Sequence, residues 1–252
     1  LPNGTSVVAN GPLAGRTLTE LTHRLADDLL GAAHPTAEGA FPLLLKLLDA
    51  NDTLSLQVHP DAAAAARIGP EAAPKTECWY VLESRGGFIY KGLAAGVRPD
   101  DLRRAVAADR AEQLVRRVDV AAGDFHYLPA GTVHALGAGV VVAEVQTPSD
   151  TTYRVTDWGR GREVHLERSM ECIRFGPADD AAPGAAGEVL LATEHFTVAR
   201  RTCPAGGSAP LPEGRCCAVM LLEAAGGVEV RHTGADEPAV AARAGDTILL
   251  QA

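Results

Sequence analysis

The run Gly123-Asp124-Phe125-His126-Tyr127-Leu128-Pro129-Ala130-Gly131-Thr132-Val133-His134 constrains the fold of this chain more than any other stretch. Phe125-His126-Tyr127 reads as a strand, and Pro129-Ala130-Gly131 as the turn that ends it. The turn aims His134 back toward the sheet, and glycines at 123 and 131 suit the tight backbone geometry. A second stretch, Leu54-Ser55-Leu56-Gln57-Val58-His59-Pro60, alternates apolar and polar side chains with the period of a strand. Successive strand side chains point to opposite faces, so Ser55, Gln57 and His59 point the same way. An amide oxygen beside an imidazole nitrogen can serve as two metal ligands; taken alone, the same pair suits two solvated residues on an exposed strand. Lys75-Thr76-Glu77 and the segment from Glu144 to Arg154 can bring polar groups to the same place, with Lys75 and Glu77 on one face.

The remaining segments supply mostly short strands. Thr17 to Leu30 reads as one amphipathic helix, with Leu18, Leu21, Leu25 and Leu29 on its apolar side, Thr17 or Thr19 as cap and Gly31 at its end. Phe41 to Leu48 is consistent with a buried strand that carries Lys46, and a buried lysine is uncommon unless paired or functional. Asp61 caps a short alanine-rich helix through Arg67. Glu77 to Val81 and Phe88 to Tyr90 read as strands, Pro99 to Val118 as a helix or helix pair. Strands return around 118–120, 125–127, 140–145 and 152–155, and a short helix is expected in 163–173. Pro177 to Gly187, rich in Ala, Pro, Gly and Asp, marks the expected boundary between a metal-binding β-domain with helical insertions at 1–176 and a smaller β-domain at 188–252. In the latter, short strands are expected at 188–192, 196–201, 215–222, 227–231, 238–242 and 247–250. Ala122-Gly123-Asp124 and Ala244-Gly245-Asp246 both precede apolar strands, a pattern that allows two related β-modules, the second without the His that follows the strand in the first.

Composition narrows the partners. The formal net charge of -9 argues against general nucleic-acid binding, so an anionic small substrate needs a local cluster of Lys and Arg. No apolar run approaches ~20 residues, and no membrane span or membrane partner is expected. The five cysteines, Cys78, Cys172, Cys203, Cys216 and Cys217, lack CxxC spacing. That points to reduced thiols in the cytoplasm and away from a disulfide framework or a thiolate zinc site. His126, between Phe125 and Tyr127, reads as a packed strand histidine; His23, His34, His165, His195 and His232 have no partner spacing.

The Gly123–His134 spacing resembles the second motif of the cupin superfamily, whose jelly-roll barrels bind a metal inside. The usual first cupin motif has His-x-His and a nearby Glu; here Gln57-x-His59 replaces it, and Glu77 follows an insertion. That departure, with Pro42-Leu43-Leu44-Leu45-Lys46, Lys75-Thr76-Glu77-Cys78-Trp79-Tyr80 and Ser149-Asp150-Thr151-Thr152-Tyr153-Arg154, resembles type I mannose-6-phosphate isomerases, most of all their short bacterial form. The resemblance runs from Pro2 to about Cys172 and weakly beyond. It implies a mainly β cupin fold and a zinc-dependent aldose–ketose isomerase that interconverts mannose 6-phosphate and fructose 6-phosphate through a cis-enediol.

By that resemblance one zinc ion is held by Gln57, His59, Glu77 and His134; donor chemistry alone leaves a six-coordinate iron or manganese site in competition. Arg154 matches the family's essential arginine, and Glu144 its proton-shuttling glutamate. Lys75 and Lys46 match lysines lining the site, for phosphate or proton transfer. Ser55, facing the side of Gln57, can donate to phosphate. Bland readings stand beside these: a rim salt bridge for Arg154, an ion-pair partner for Glu144, a solvated lysine at 75, a snorkelling one at 46, and a structural hydroxyl at 55. Trp79 and Tyr80 read as core, and Arg160 as electrostatic or surface. A sugar-phosphate-binding or regulatory cupin without turnover, and an isomerase of another sugar phosphate, are the alternative functions. The sequence begins after a Trp-Gly-rich segment usual in the family and stops before its last strands, so a fragment is expected.

Overall fold

The structure, a computed structural model, describes residues 5–178, 180–231 and 239–251. His232 and the expected strand start at 238 lie outside them. The region expected to form one helix forms two, α1 (Leu18–Leu25) and α2 (Asp27–Leu30). Thr17 caps α1 by accepting the Glu20 N–H, and the break falls at Ala26, where φ is +42°. The break lets α2 begin on Asp27-Asp28, acidic residues that a first helical turn favours, and buries Leu29 and Leu30.

The chain forms two compact units, Leu43–Arg201 and the described parts of Pro2–Pro42 with Thr202–Ala252. The first begins with β1 (Leu44–Ala50) and β2 (Leu56–Val58). The expected strand from Phe41 starts instead at Leu44, past Pro42, which has no N–H for a ladder. Next come α3 (Ala62–Ile68), whose cap Asp61 accepts from Ala64 N, β3 (Glu77–Ser84), β4 (Phe88–Leu93) and α4 (Pro99–Ala107). The helix expected as far as Val118 stops early. Asp109 has φ +53°, a single 3-10 turn follows at Ala111–Leu114, and the β-branched residues beyond enter β5 (Val115–Asp119). Then follow β6 (Phe125–Leu128), β7 (His134–Leu136), β8 (Val140–Gln146), β9 (Tyr153–Thr156) and α5 (Leu166–Cys172).

These strands make two sheets, of order β1-β8-β3-β6 and β5-β4-β7-β2-β9. Trp79, Val81, Leu128, Val140 and Val142 of the first pack with Ile89 and Leu136 of the second in one shared core. On its other side the five-stranded sheet buries Leu56, Val58, Ala135 and Val155 against Ile68 of α3, Leu102 of α4 and Cys172 of α5. The helical insertions therefore cover one face of a β-sandwich and leave its interior to the strands. This mainly β arrangement is the one the sequence leads one to expect.

A hairpin of β10 (Val189–Ala192) and β11 (Thr197–Ala199) joins the same unit, with Leu191 and Phe196 packed around Cys78, Tyr127 and Val145. The second unit pairs β12 (Cys217–Met220) with β15 (Thr247–Leu250), and β13 (Val228–Val230) with β14 (Val240–Ala242). Its N-terminal part is bound to the rest by backbone bonds from Ala32 N to Gly214 O and from Cys216 N to Leu30 O. The division drawn on the sequence thus runs differently from these units: 188–201 packs with the first, and 5–42 with the second.

Candidate active site

The Pro129-Ala130-Gly131 turn folds as its residues dictate. Gly123 has φ +95° and Gly131 φ +85°, and Thr132 N bonds Pro129 O at 3.1 Å. The turn delivers His134 to the first position of β7, where it pairs with Gln57 of β2. Gln57 in turn stands opposite Arg154 of β9, and His134 opposite Lys91 of β4. Across the other sheet, Lys46 pairs with Glu144 and Glu144 with Trp79, while Glu77 pairs with Gln146. Direct cross-strand partners share a face, so each sheet contributes a row of polar residues.

His59, Glu77 and His134 converge, with one potential ligand atom from each within 4.8 Å of the others. Glu77 is 0 % exposed, and each histidine 1 %. Glu77 Oε1 lies 3.1 Å from His134 Nε2, and Glu77 Oε2 lies 3.3 Å from His59 Nε2. Gln57 Nε2 is 3.2 Å from His134 Nε2, and turning the amide over puts Oε1 in its place. The far nitrogens are committed elsewhere. His59 Nδ1 donates to Thr151 O at 2.9 Å and His134 Nδ1 to Thr132 O at 2.8 Å, which fixes both tautomers with the Nε2 lone pair inward.

Lone pairs therefore face lone pairs in a buried space, and His59 Nε2 and both Glu77 oxygens are without a hydrogen-bond partner. Lys75 Nζ approaches Glu77 Oε2 to 2.8 Å as an ion pair, outside hydrogen-bond geometry. Burial drives the His59 pKa down to about 4, against the pull of Glu77, so the ring is neutral at pH 7. Burial by itself raises the Glu77 carboxyl, but the facing His59 imidazole and the Lys75 ammonium outweigh it and hold the group well below the usual carboxylate range. Two neutral imidazoles, one carboxylate and an amide, with acceptors left unpartnered, fit a divalent metal ion. The residues present form a candidate metal centre.

A second network adjoins it. Lys46 Nζ donates to Glu144 Oε1 at 2.8 Å and to Gln146 Oε1 at 2.5 Å. Gln146 Nε2 donates to Thr147 O and Ser149 O, both at 2.8 Å. Trp79 Nε1 donates to Glu144 Oε2, and its ring stands edge-on to His134. Arg154 shares the face of Gln57 by register, yet its Nη1 donates to Glu163 O and its Nε is buried without a partner. Ser55 is buried immediately before β2.

The sequence-predicted residues Gln57, His59, Lys75, Glu77 and His134 are thus linked in one chain of contacts centred on Glu77 and His134, and Lys46 and Glu144 are joined to each other beside them. The structure shows no such contact for Arg154 or Ser55. Gln146 and the polar role of Trp79 escaped the sequence reading; the i, i+2 spacing of Glu144 and Gln146 on one strand was the available signal. Lys91, buried and 3.5 Å from Asp180, also went unnoticed. His126 fits its packed-strand reading in part: Nε2 is buried without a hydrogen-bond partner, and burial lowers its pKa.

Two facing sheets with a buried His-Glu-His cluster define a cupin fold that carries a candidate metal centre. Residues 1–81 match the sequence profile of the phosphomannose isomerase type I catalytic domain. A mannose-6-phosphate isomerase of Streptococcus mutans is 42% identical over 212 residues, which cover 78% of this chain and 65% of that protein. A probable mannose-6-phosphate isomerase of Bacillus subtilis is 41% identical over 189 residues, 70% of this chain and 57% of that one. The crystal structure of a Bacillus subtilis mannose 6-phosphate isomerase superposes with a TM-score of 0.80 at 28% identity, over 99% of this chain and 81% of that one. A zinc-bound mannose 6-phosphate isomerase at 16% identity shares the fold, with a TM-score of 0.66. These likenesses are all to mannose-6-phosphate isomerases, and the profile matched at residues 1–81 is that of the type I catalytic domain. It spans less than two thirds of the length of the curated relatives it matches. No helix among the described residues is long and apolar enough to cross a membrane.

Proposed function

We propose that this chain catalyses the zinc-dependent interconversion of mannose 6-phosphate and fructose 6-phosphate in the cytoplasm. The observation that carries the reading is the buried His59–Glu77–His134 cluster, with unpartnered acceptors, beside the Lys46–Glu144 pair. Gln57, His59, Glu77 and His134 would hold the zinc. Bound there, zinc supplies Lewis-acid charge that stabilises negative charge developing on a sugar oxygen.

The chain's own residues do the rest. Glu144 removes the proton from C2 of the open-chain aldose and returns it to C1, while a hydroxyl proton passes from O2 to O1 of the cis-enediol. Lys46, donating to Glu144 and half-exposed, is placed to grip the phosphate or the base. Lys75 balances the charge of Glu77 and lends positive potential to the pocket. Arg154, released from Glu163 O, supplies a planar cationic fork for the enediolate. Ser55 is the proposed hydroxyl donor to phosphate.

The test is a coupled assay on a panel of sugar phosphates, with elemental analysis of the same preparation. The reading expects zinc near one per chain, activity with mannose 6-phosphate, and loss of that activity on chelation with recovery on zinc. Activity that survives complete metal removal sinks the metal role. Binding of the sugar phosphate with no deuterium exchange at C1 or C2 sinks the isomerase.

A further inference from the structure

The Glu144 carboxylate is held from two sides: Oε1 accepts from Lys46 Nζ and Oε2 from the Trp79 indole N–H, each at 2.8 Å. The two donors differ in kind. Lys46 has a flexible stem and a side chain 34% exposed, whereas Trp79 is 2% exposed and packed with Val81, Ile89, Leu128, Leu136 and Val142. The torsion that turns a glutamate carboxylate is broad and soft, so a mobile ammonium alone does not set its direction. A ring locked in a close-packed core does. That same ring lies edge-on to His134, with centroids 5.5 Å apart, so one rigid group spans the proposed base and a proposed zinc ligand.

Resting on the reading of Glu144 as the proton-transfer base, we infer that Trp79 is a positioning residue for the isomerisation: its indole N–H fixes the Glu144 carboxylate relative to the metal centre. The proton must leave C2 and arrive at C1, so one carboxylate has to address two neighbouring carbons from one place. A misplacement of about 1 Å in such an arrangement costs on the order of 100-fold in rate. A bland reading gives Trp79 only the job of filling the core, and it predicts no dependence on the N–H.

Two replacements separate these. Trp79→Phe removes the donor and part of the ring; the sulfur isostere benzothienylalanine, introduced at position 79 alone, keeps the shape and lacks the donor. With the isostere, kcat should fall about 10- to 100-fold while KM stays within about threefold. Zinc content and unfolding midpoint should stay parental. The primary isotope effect with C2-deuterated mannose 6-phosphate should rise, because proton transfer is the step that slows. A kcat within about twofold of the parent overturns the inference. If Trp79→Phe fails to fold or to hold zinc, the isostere decides by the same criteria. Glu144→Gln distinguishes this failure from that of the parent reading. Near-parental turnover in Glu144→Gln removes the base and the role of Trp79 with it. Loss of turnover there, with a parental isostere, removes Trp79 alone.

Discussion

Gly131 donates its backbone N–H to the carbonyl of His59 at 2.9 Å. The turn that carries one imidazole is thereby tied to the residue that carries the other. Gly131 has φ +85°, and a Cβ there would lie 2.6 Å from Arg174 Cγ, close to that side chain's root. Gly131→Ala should therefore cost about 1–2 kcal/mol, from the left-handed backbone and the forced shift of Arg174. Zinc affinity should weaken along with it, since the turn sets His134. Denaturant unfolding and metal titration on one preparation check this; a variant unchanged in both shows that the turn is not under this constraint.

His59 and His134 are expected to differ from any surface histidine in what their loss does. Each Nε2 lies within 3.3 Å of Glu77. His59→Ala and His134→Ala should each lower bound zinc and the unfolding midpoint together, because metal binding to a formed site adds to folding free energy. Normal zinc stoichiometry in both would mean the ligands are wrong. The metal-free parent carries a pH signature as well. Burial holds His59 at about 4 in the folded state against a reference of 6.5. The unfolded chain then takes up the proton first, and stability falls as pH drops from about 6.5 toward 4. His59→Ala should flatten that slope, which urea midpoints across the range would read.

Much of this site was legible in the sequence because strand alternation and turn chemistry are local. Gly123 and Gly131 announced the turn that aims His134, and Lys75 with Glu77 shared a face by spacing of two. What escaped depends on partners distant in sequence. Gln146 looks ordinary until Lys46, a hundred residues away, is seen to donate to it. The register shift between Leu56 and Gln57 in the β2–β9 pairing is likewise a product of a distant strand. The helix break at Ala26 is invisible in an alanine, whose own preference is helical. The joining of Leu30 to Cys216 is a long-range pairing that no local pattern encodes.

Asp157 holds the loop after β9 to the entrance of β2. Its carboxylate accepts from Arg162 N and Nε at 3.2 and 3.0 Å and from Arg160 Nη2 at 3.1 Å; Arg160 Nη1 and Trp158 Nε1 each donate at 2.7 Å to Thr53 O and Leu54 O. The Arg162 bonds hold its pKa down to about 2, from 3.8, despite burial. Folded below unfolded means that this stabilisation is complete above about pH 4 and is lost as pH falls through about 2. Asp157→Asn should cost about 1–3 kcal/mol at pH 7, and the gap to the parent should close toward pH 2. Urea unfolding at several pH values tests this, and a gap independent of pH would refute the carboxylate as its source.

Arg154 is expected to act on charge that develops during the reaction. In the structure it shares a sheet face with Gln57, and its guanidinium donates to Glu163 O with Nε unpartnered. Once released from Glu163 O, a permanently charged fork is available to an enediolate. Contacts made only in the transition state lower kcat more than they raise KM when removed. Loss of one preorganised donor of this kind costs about 100- to 1,000-fold in kcat. Arg154→Ala should retain zinc and fold yet lose most turnover, and Arg154→Lys should rescue poorly, since lysine keeps the charge without the planar fork. If the alanine variant instead unfolds or loses zinc, Arg154 is a structural partner of the Glu163 loop. If it turns over within a few-fold of the parent, the stabilising cation is to be sought at Lys75 or Lys46, which already stand beside Glu77 and Glu144.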